Sequence, residues 1–144
     1  MKTYTRDYRS PQPKDETTSR VMSANKAKHT KLELTLRRYI WKKGIRGYRV
    51  NYKKIPGRPD ICFVGKKVAI FVHGCFWHHC PICSLRIPKH NSEFWRHKFE
   101  TNTTRDERKI RELTEMGWTT LVVWECQMKK DLEGVVGKIR LLIQ

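Results

Sequence analysis

The stretch ICFVGKKVAIFVH, residues 61–73, decides the fold. Two apolar runs, Ile61–Val64 and Val68–Val72, flank Gly65-Lys66-Lys67, the composition of a hairpin turn. Ala69, Phe71 and the valines make the second run apolar on both faces. It is therefore expected to be a central strand covered on each side. Working outward, Tyr48–Tyr52 is a strand candidate before the hairpin. Trp118–Trp124, with TTLVVW at its heart, is a stronger one after it. Helices fill the rest. Thr30-Lys31-Leu32-Glu33 fits a capping box opening a helix at about 31–43. Its apolar face carries Leu32, Leu36, Tyr39 and Ile40, and Gly44 stands where a C-terminal cap belongs. Ser92 is expected to cap a helix from Glu93. Thr104 to Glu107 reads as another capping box, opening a separate helix that ends at Gly117. A last helix at about 131–143 places Leu132, Val135, Val136, Ile139 and Ile143 at helical spacing. The expected class is α/β, a small mixed sheet flanked by helices.

The 144 residues suit one domain. Residues 1–20, polar and with Pro11 and Pro13, read as a flexible basic arm, and 21–144 as a single folded domain. The arm could lie along a groove of a duplex or be a plain disordered tail.

Lys and Arg number 31 against 14 Asp and Glu, a net charge of +17. A polyanion relieves that self-repulsion and binds with release of counterions, so nucleic acid is the expected partner. The bland alternative is a merely soluble basic protein. No apolar run of about 20 residues spans a bilayer, and no membrane partner is expected. The N-terminus lacks the apolar centre of a secretory signal, so a cytoplasmic, reducing location is expected. No interface helix stands out, and a monomer is the expectation.

Five cysteines, an odd count for a reducing compartment, point to metal rather than disulfides. Cys75-Phe-Trp-His-His-Cys80-Pro-Ile-Cys83 holds three thiols, two of them as Cys-x-x-Cys. Cys126, just beyond the strand ending at Trp124, is the best fourth ligand for a closed, structural Zn²⁺ site. His78 or His79 could replace one thiol, and buried free cysteines are the bland reading. Cys62 reads as an ordinary buried thiol.

A closed zinc site leaves the chemistry elsewhere. Asp60, at the start of the hairpin's first strand, is a hard oxygen ligand suited to Mg²⁺. His73 ends the second strand, and adjacent strand ends can converge. His73 and His78 titrate where proton transfer near neutrality is possible. Each has a plain alternative: a turn aspartate and a surface or core histidine. Glu33 is explained by its capping box, and Asp106 by the first turn of a helix. Phe76 and Trp77 in the Cys-rich loop, with Phe94 and Trp95 soon after, could wedge between base pairs or simply pack the core. For Trp41, Trp118 and Trp124, core packing is the expectation.

These blocks together resemble the very-short-patch repair endonucleases, relatives of restriction enzymes. The matching stretches are Ser19–Ala24, Thr30–Glu33, Pro56-Gly57-Arg58-Pro59-Asp60 and His73-Gly74-Cys75-Phe76-Trp77-His78. Then come Glu93-Phe94-Trp95, Asn102 with Arg105-Asp106, Gly117-Trp118 and Val123-Trp124-Glu125-Cys126. The resemblance runs from about Arg20 to Met128. It implies a restriction-endonuclease-like mixed sheet with structural zinc, and a bacterial-type, nucleoid-associated enzyme. It implies Asp60 as the central Mg²⁺ ligand, assisted by the backbone carbonyl of Val72. Glu33, His73 and Asp106 would bind the ion's waters or shape the site, and His78 would activate water. Phe76, Trp77 and Trp95 would intercalate beside a mismatch, and the region around Met22 would approach from the minor groove. The implied activity is nicking 5′ to the thymine of T:G mismatches. The alternatives are a related nicking or restriction-type endonuclease acting on other sites, and a non-catalytic zinc module that binds DNA. In some relatives a His stands where this chain has Cys80, a change that preserves tetrahedral chemistry.

Overall fold

The computed structural model describes residues 30–83 and 86–144. The expected arm over 1–20 and Met22 lie outside the described residues. In chain order the elements are α1 (Lys31–Lys42), β1 (Arg49–Val50), β2 (Ile61–Phe63), a 3₁₀ turn (Val64–Lys66), β3 (Val68–His73), α2 (Ser92–Glu115), β4 (Thr119–Trp124), α3 (Glu125–Lys130) and α4 (Leu132–Leu142).

The four strands form one sheet in the order β1-β2-β3-β4. β1 and β3 run antiparallel to β2, and β4 runs parallel to β3. The hairpin pairs Ile61 with Ile70 and Phe63 with Val68. Its turn places Lys67 in the left-handed region, at φ 52°. Every residue of β3 is buried, as an apolar run with no polar face requires.

Strand alternation divides the core in two. Ile61, Phe63, Val68, Ile70 and Val72 pack with Leu36 and Ile40 of α1 and Val135, Val136 and Ile139 of α4. Cys62, Ala69 and Phe71 point the other way and pack with Leu113 of α2 and Trp118. The α1 start is capped as its sequence implies: Thr30 Oγ1 accepts from the Glu33 N–H at 3.2 Å. Gly44, at φ 83°, follows its last turn. Asp131 caps α4 by accepting from the Gly134 N–H at 2.9 Å. No helix among the described residues is long and apolar enough to cross a membrane.

Several expectations need correction. The two helices expected after Ser92 are one, 24 residues long, and Asn91 rather than Ser92 is its N-cap residue. Ser92–Glu115 contains no Gly or Pro to end a helix. Its hydroxyls serve the helix instead of starting one: Thr101 Oγ1 donates to the His97 carbonyl and Thr114 Oγ1 to that of Ile110, both at 2.8 Å. The strand expected over Tyr48–Tyr52 shrinks to Arg49–Val50, because Asn51 turns into the left-handed region at φ 48°. Cys126 lies in the first turn of the short helix α3, an element not expected at all. Trp41 is not core. It is 56% exposed, with the Arg46 guanidinium stacked 3.4 Å from its ring centroid.

Candidate active site and metal centre

One stripe of α2 organises the site. Its buried residues are Trp95, Phe99, Asn102, Asp106 and Leu113, spaced by four, three, four and seven, the period of a single helix face. From the N-terminal end, this face meets an aromatic cluster, the loop after β3, the histidines and then the core.

β3 delivers His73 on the side facing α2. His73 is 5% exposed. The loop folds back so that the rings of His73 and His78 stack at 3.8 Å, 3° from parallel. His78 Nδ1 lies 2.6 Å from Asp106 Oδ2, and His73 Nδ1 lies 4.0 Å from the same oxygen. Trp124, opposite His73 in the parallel pair, meets the His73 ring edge-on at 5.1 Å. Trp124 is therefore half-buried and lines the site rather than the core.

These environments separate the protonation states. Burial pushes the His73 pKa down to about 3, helped by the neighbouring His78, so His73 is neutral at physiological pH. Burial works to raise the Asp106 pKa, but the His78 hydrogen bond and charge outweigh it and hold the carboxyl below its usual range. An ionised Asp106 only accepts hydrogen bonds. His78 Nδ1 is therefore the donor of that bond, and Nε2 is the ring nitrogen left for another partner.

Asp60 joins this group through the backbone. The Val72 N–H donates to Asp60 Oδ2 at 2.6 Å, one residue before His73. Glu33, 4% exposed, brings a second carboxylate from α1. Burial raises the Asp60 pKa to about 7, opposed by the Val72 bond and reinforced by the Glu33 charge. Two neighbouring carboxylates in a half-buried site are the arrangement a hard dication relieves. His73 Nδ1, buried and without a hydrogen-bond partner, leaves one more polar atom for a ligand of that ion. His73, His78 and Asp106 also place ligand atoms within 4.8 Å of one another.

The thiols of Cys75, Cys80, Cys83 and Cys126 likewise lie within 4.8 Å of one another. Cys80 Sγ is 3.8 Å from Cys126 Sγ, and Cys83 Sγ is 3.5 Å from Cys75 Sγ. Four sulfurs about 2.3 Å from one Zn²⁺ would stand about 3.8 Å apart, so the donor set fits. Burial pushes the Cys75 thiol up. It does the same at Cys80, but the backbone N–H groups of Cys83 and Ile82 overcome it and favour the thiolate. The Cys126 N–H also points at Cys75 Sγ, at 3.3 Å. Glu125 braces the loop by accepting from the Cys75 N–H at 3.3 Å. The two histidines weighed as thiol replacements lie outside this cluster: His78 is held by Asp106, and His79 stacks on Phe99 at 5.0 Å.

Phe76, Trp77, Trp95 and Phe99 form a nest of rings, with Phe76 meeting Trp77 at 5.2 Å and Trp95 at 5.1 Å. Phe76 and Trp77 stay half-buried, whereas Trp95 is buried. Asn102 Nδ2 donates to the Trp77 carbonyl at 2.7 Å and ties this loop to α2.

One site residue escaped the sequence reading. Lys109 is half-buried, one turn beyond Asp106. Burial lowers its pKa, as does the repulsion of Arg105, while Asp106 and Asp60 attract its charge. Read as one continuous helix, α2 would have put residues 106 and 109 on the same face.

The profile of the family described as DNA mismatch endonuclease Vsr matches residues 12–83. Type II nicking enzyme V.XorIIP of Xanthomonas oryzae pv. oryzae is 35% identical over 123 residues, 85% of this chain and 89% of that protein. DNA mismatch endonuclease Vsr of Escherichia coli is 38% identical over 113 residues, covering 78% and 72% of the two chains. Type II nicking enzyme V.NmeAIP of Neisseria meningitidis is 40% identical over 109 residues, 76% and 77%. With half the chain matched by the profile and most of it aligned to such relatives, the chain belongs to the Vsr family of DNA mismatch endonucleases.

Proposed function

We propose that this endonuclease nicks one strand of duplex DNA 5′ to the thymine of a T:G mismatch, by Mg²⁺-dependent hydrolysis, on a restriction-endonuclease-like scaffold braced by structural zinc. The observation that carries the reading is the 2.6 Å bond between His78 Nδ1 and Asp106. It prepares a base beside the Asp60 and Glu33 carboxylates.

Asp60 would hold the divalent ion, with the Val72 backbone carbonyl beside it and Glu33 and His73 toward its waters. The ion would supply charge neutralisation at the phosphate and an acidified water. The chain's own residues do the rest. His78 Nε2 takes the proton of the attacking water, and Asp106 orients the ring and stabilises the imidazolium that forms. His73, neutral and stacked on His78, fixes the ring plane without adding a competing charge. Phe76, Trp77 and Trp95 would wedge beside the mismatch, where a weakened step costs less to open. Met22 would approach the minor groove. The excess of +17 suits a DNA substrate, and a monomer working in the cytoplasm fits the same reading. Cys126→Ser is expected to lower zinc content and Tm together; an unchanged zinc:protein ratio would count against four-sulfur ligation.

Relatives are named both as a mismatch endonuclease and as nicking enzymes, and cleavage at sites other than T:G is the second reading. A strand-resolved assay on T:G, U:G and fully paired duplexes separates the two. Cleavage of the T:G duplex alone, on the thymine strand, abolished by EDTA and by Asp60→Asn without loss of binding, is the expected result. Nicking by Asp60→Asn in Mg²⁺ would overturn the assignment of the ion to Asp60. A pure binding module is disfavoured, since buried carboxylates facing phosphates serve no binding purpose.

A further inference from the structure

We propose that Lys109 is a further catalytic residue, whose ammonium binds a non-bridging oxygen of the phosphate being cut. The proposal rests on reading Asp60 and His78 as the hydrolytic centre.

The first observation is packing. Gly57 sits at φ +83°, and a Cβ built there would meet Lys109 Cβ, Cγ and Cδ at 3.0, 3.1 and 3.2 Å. The lysine stem therefore lies against Gly57, three residues before Asp60. It is not a solvated chain free to swing. The second observation is charge without a partner. Asp60 and Asp106 both attract the ammonium, yet among the described residues no carboxylate pairs with it within ion-pair distance. Arg105 and Arg108 on the same helix repel it. A half-buried ammonium attracted by two carboxylates and bonded to neither has donors left for a third anion.

A scissile phosphate supplies that anion. It must approach Asp60, Glu33 and Asp106, all of which repel it. A fixed cation on the protein side offsets the repulsion and meets charge as it grows on the phosphate oxygens. A lysine, as a point charge, suits one oxygen rather than a forked grip on two. The competing role is a counter-ion for the carboxylates that never touches substrate.

The experiment compares wild type and Lys109→Met on a duplex that the wild type nicks, with the natural phosphate or a neutral methylphosphonate at the nick position. Binding is measured in EDTA and single-turnover nicking in Mg²⁺. The methyl substitution is expected to weaken wild-type binding by about tenfold more than it weakens Lys109→Met. On the natural duplex Lys109→Met is expected to nick about 10²-fold more slowly, with Lys109→Arg recovering most of the rate. Equal sensitivity of both proteins to the methyl group overturns the proposal and leaves Lys109 a counter-ion. Lys109→Gln, which keeps much of the stem, carries the same comparison if the methionine variant folds poorly. Asp60→Asn runs alongside: if it nicks, the hydrolytic centre is misassigned. If it is inert while Lys109→Met behaves as wild type, only the lysine proposal fails.

Discussion

The two faces of the sheet are built from the same strands yet differ in kind. The face toward α1 and α4 is apolar but for Glu33 at the start of α1, with Ile70, Leu36, Ile40 and Ile139 at 0% exposure. The face toward α2 is apolar only at one end, where Cys62, Ala69 and Phe71 meet Leu113 and Trp118. At the other end it carries His73, Asn102 and Asp106, all buried. Neighbours in β3 fall on opposite sides of this divide: Val72 belongs to the dry face and His73 to the wet one. The largely apolar face secures the fold, so the other can hold buried polar groups that by themselves oppose folding.

Mutations should keep the two faces separate. The largest effect belongs to Asp106→Asn. An amide can turn its N–H toward His78 Nδ1 and favour the wrong tautomer, and nicking should fall about 10³-fold with little change in Tm. A loss under tenfold would move the orientation of His78 to another group. On the dry face, Ile70→Ala should cost about 2–5 kcal/mol of unfolding free energy in denaturant titrations. The nicking rate per folded molecule should stay near wild type; a large drop in it would show that the faces are coupled. Trp77→Ala should weaken binding to mismatched DNA about tenfold more than to paired DNA. Equal losses would assign the ring to packing.

The smallest effect is on stability, and its sign is informative. Asp60 has a folded pKa raised to about 7 from 3.8. Without a bound ion, its carboxylate therefore opposes folding above that pH, and the folded protein gains stability from this group as pH falls from 7 toward 4. Asp60→Asn, in EDTA at pH 8, should raise Tm by about 3 °C while abolishing nicking. A lower Tm would mean that the carboxylate is a structural hydrogen-bond acceptor first.

The dry face was legible because its signals are periodic. The hairpin at 61–73, the helix from Thr30 and the final helix all follow apolar spacing with a cap or turn at one end. The thiol set was legible from spacing and from Cys126 at the strand end. What stayed hidden depends on three-dimensional context. Thr104 and Glu107 have the composition of a helix start, but tertiary packing carries the helix through them. Breaking the helix there concealed the stripe that joins Trp95, Asn102, Asp106 and Lys109. Trp41 has the composition of core, but its position on α1 turns it outward beneath Arg46. Lys109, one of 31 basic residues, carries no local mark, and only its contact with Gly57 sets it apart.

The tether between Asn102 and the Trp77 carbonyl has a geometric consequence. Asn102 and Asp106 are four residues apart on one straight element, about 6 Å along its axis, and successive bases on a strand rise about 3.4 Å. In a lesion-reading role, the helix acts as a ruler: wherever the indole enters the duplex, the cut must fall within a step or two. On that reading the offset between damage and incision would be set by helical rise, with no need to count bases or recognise a distant landmark.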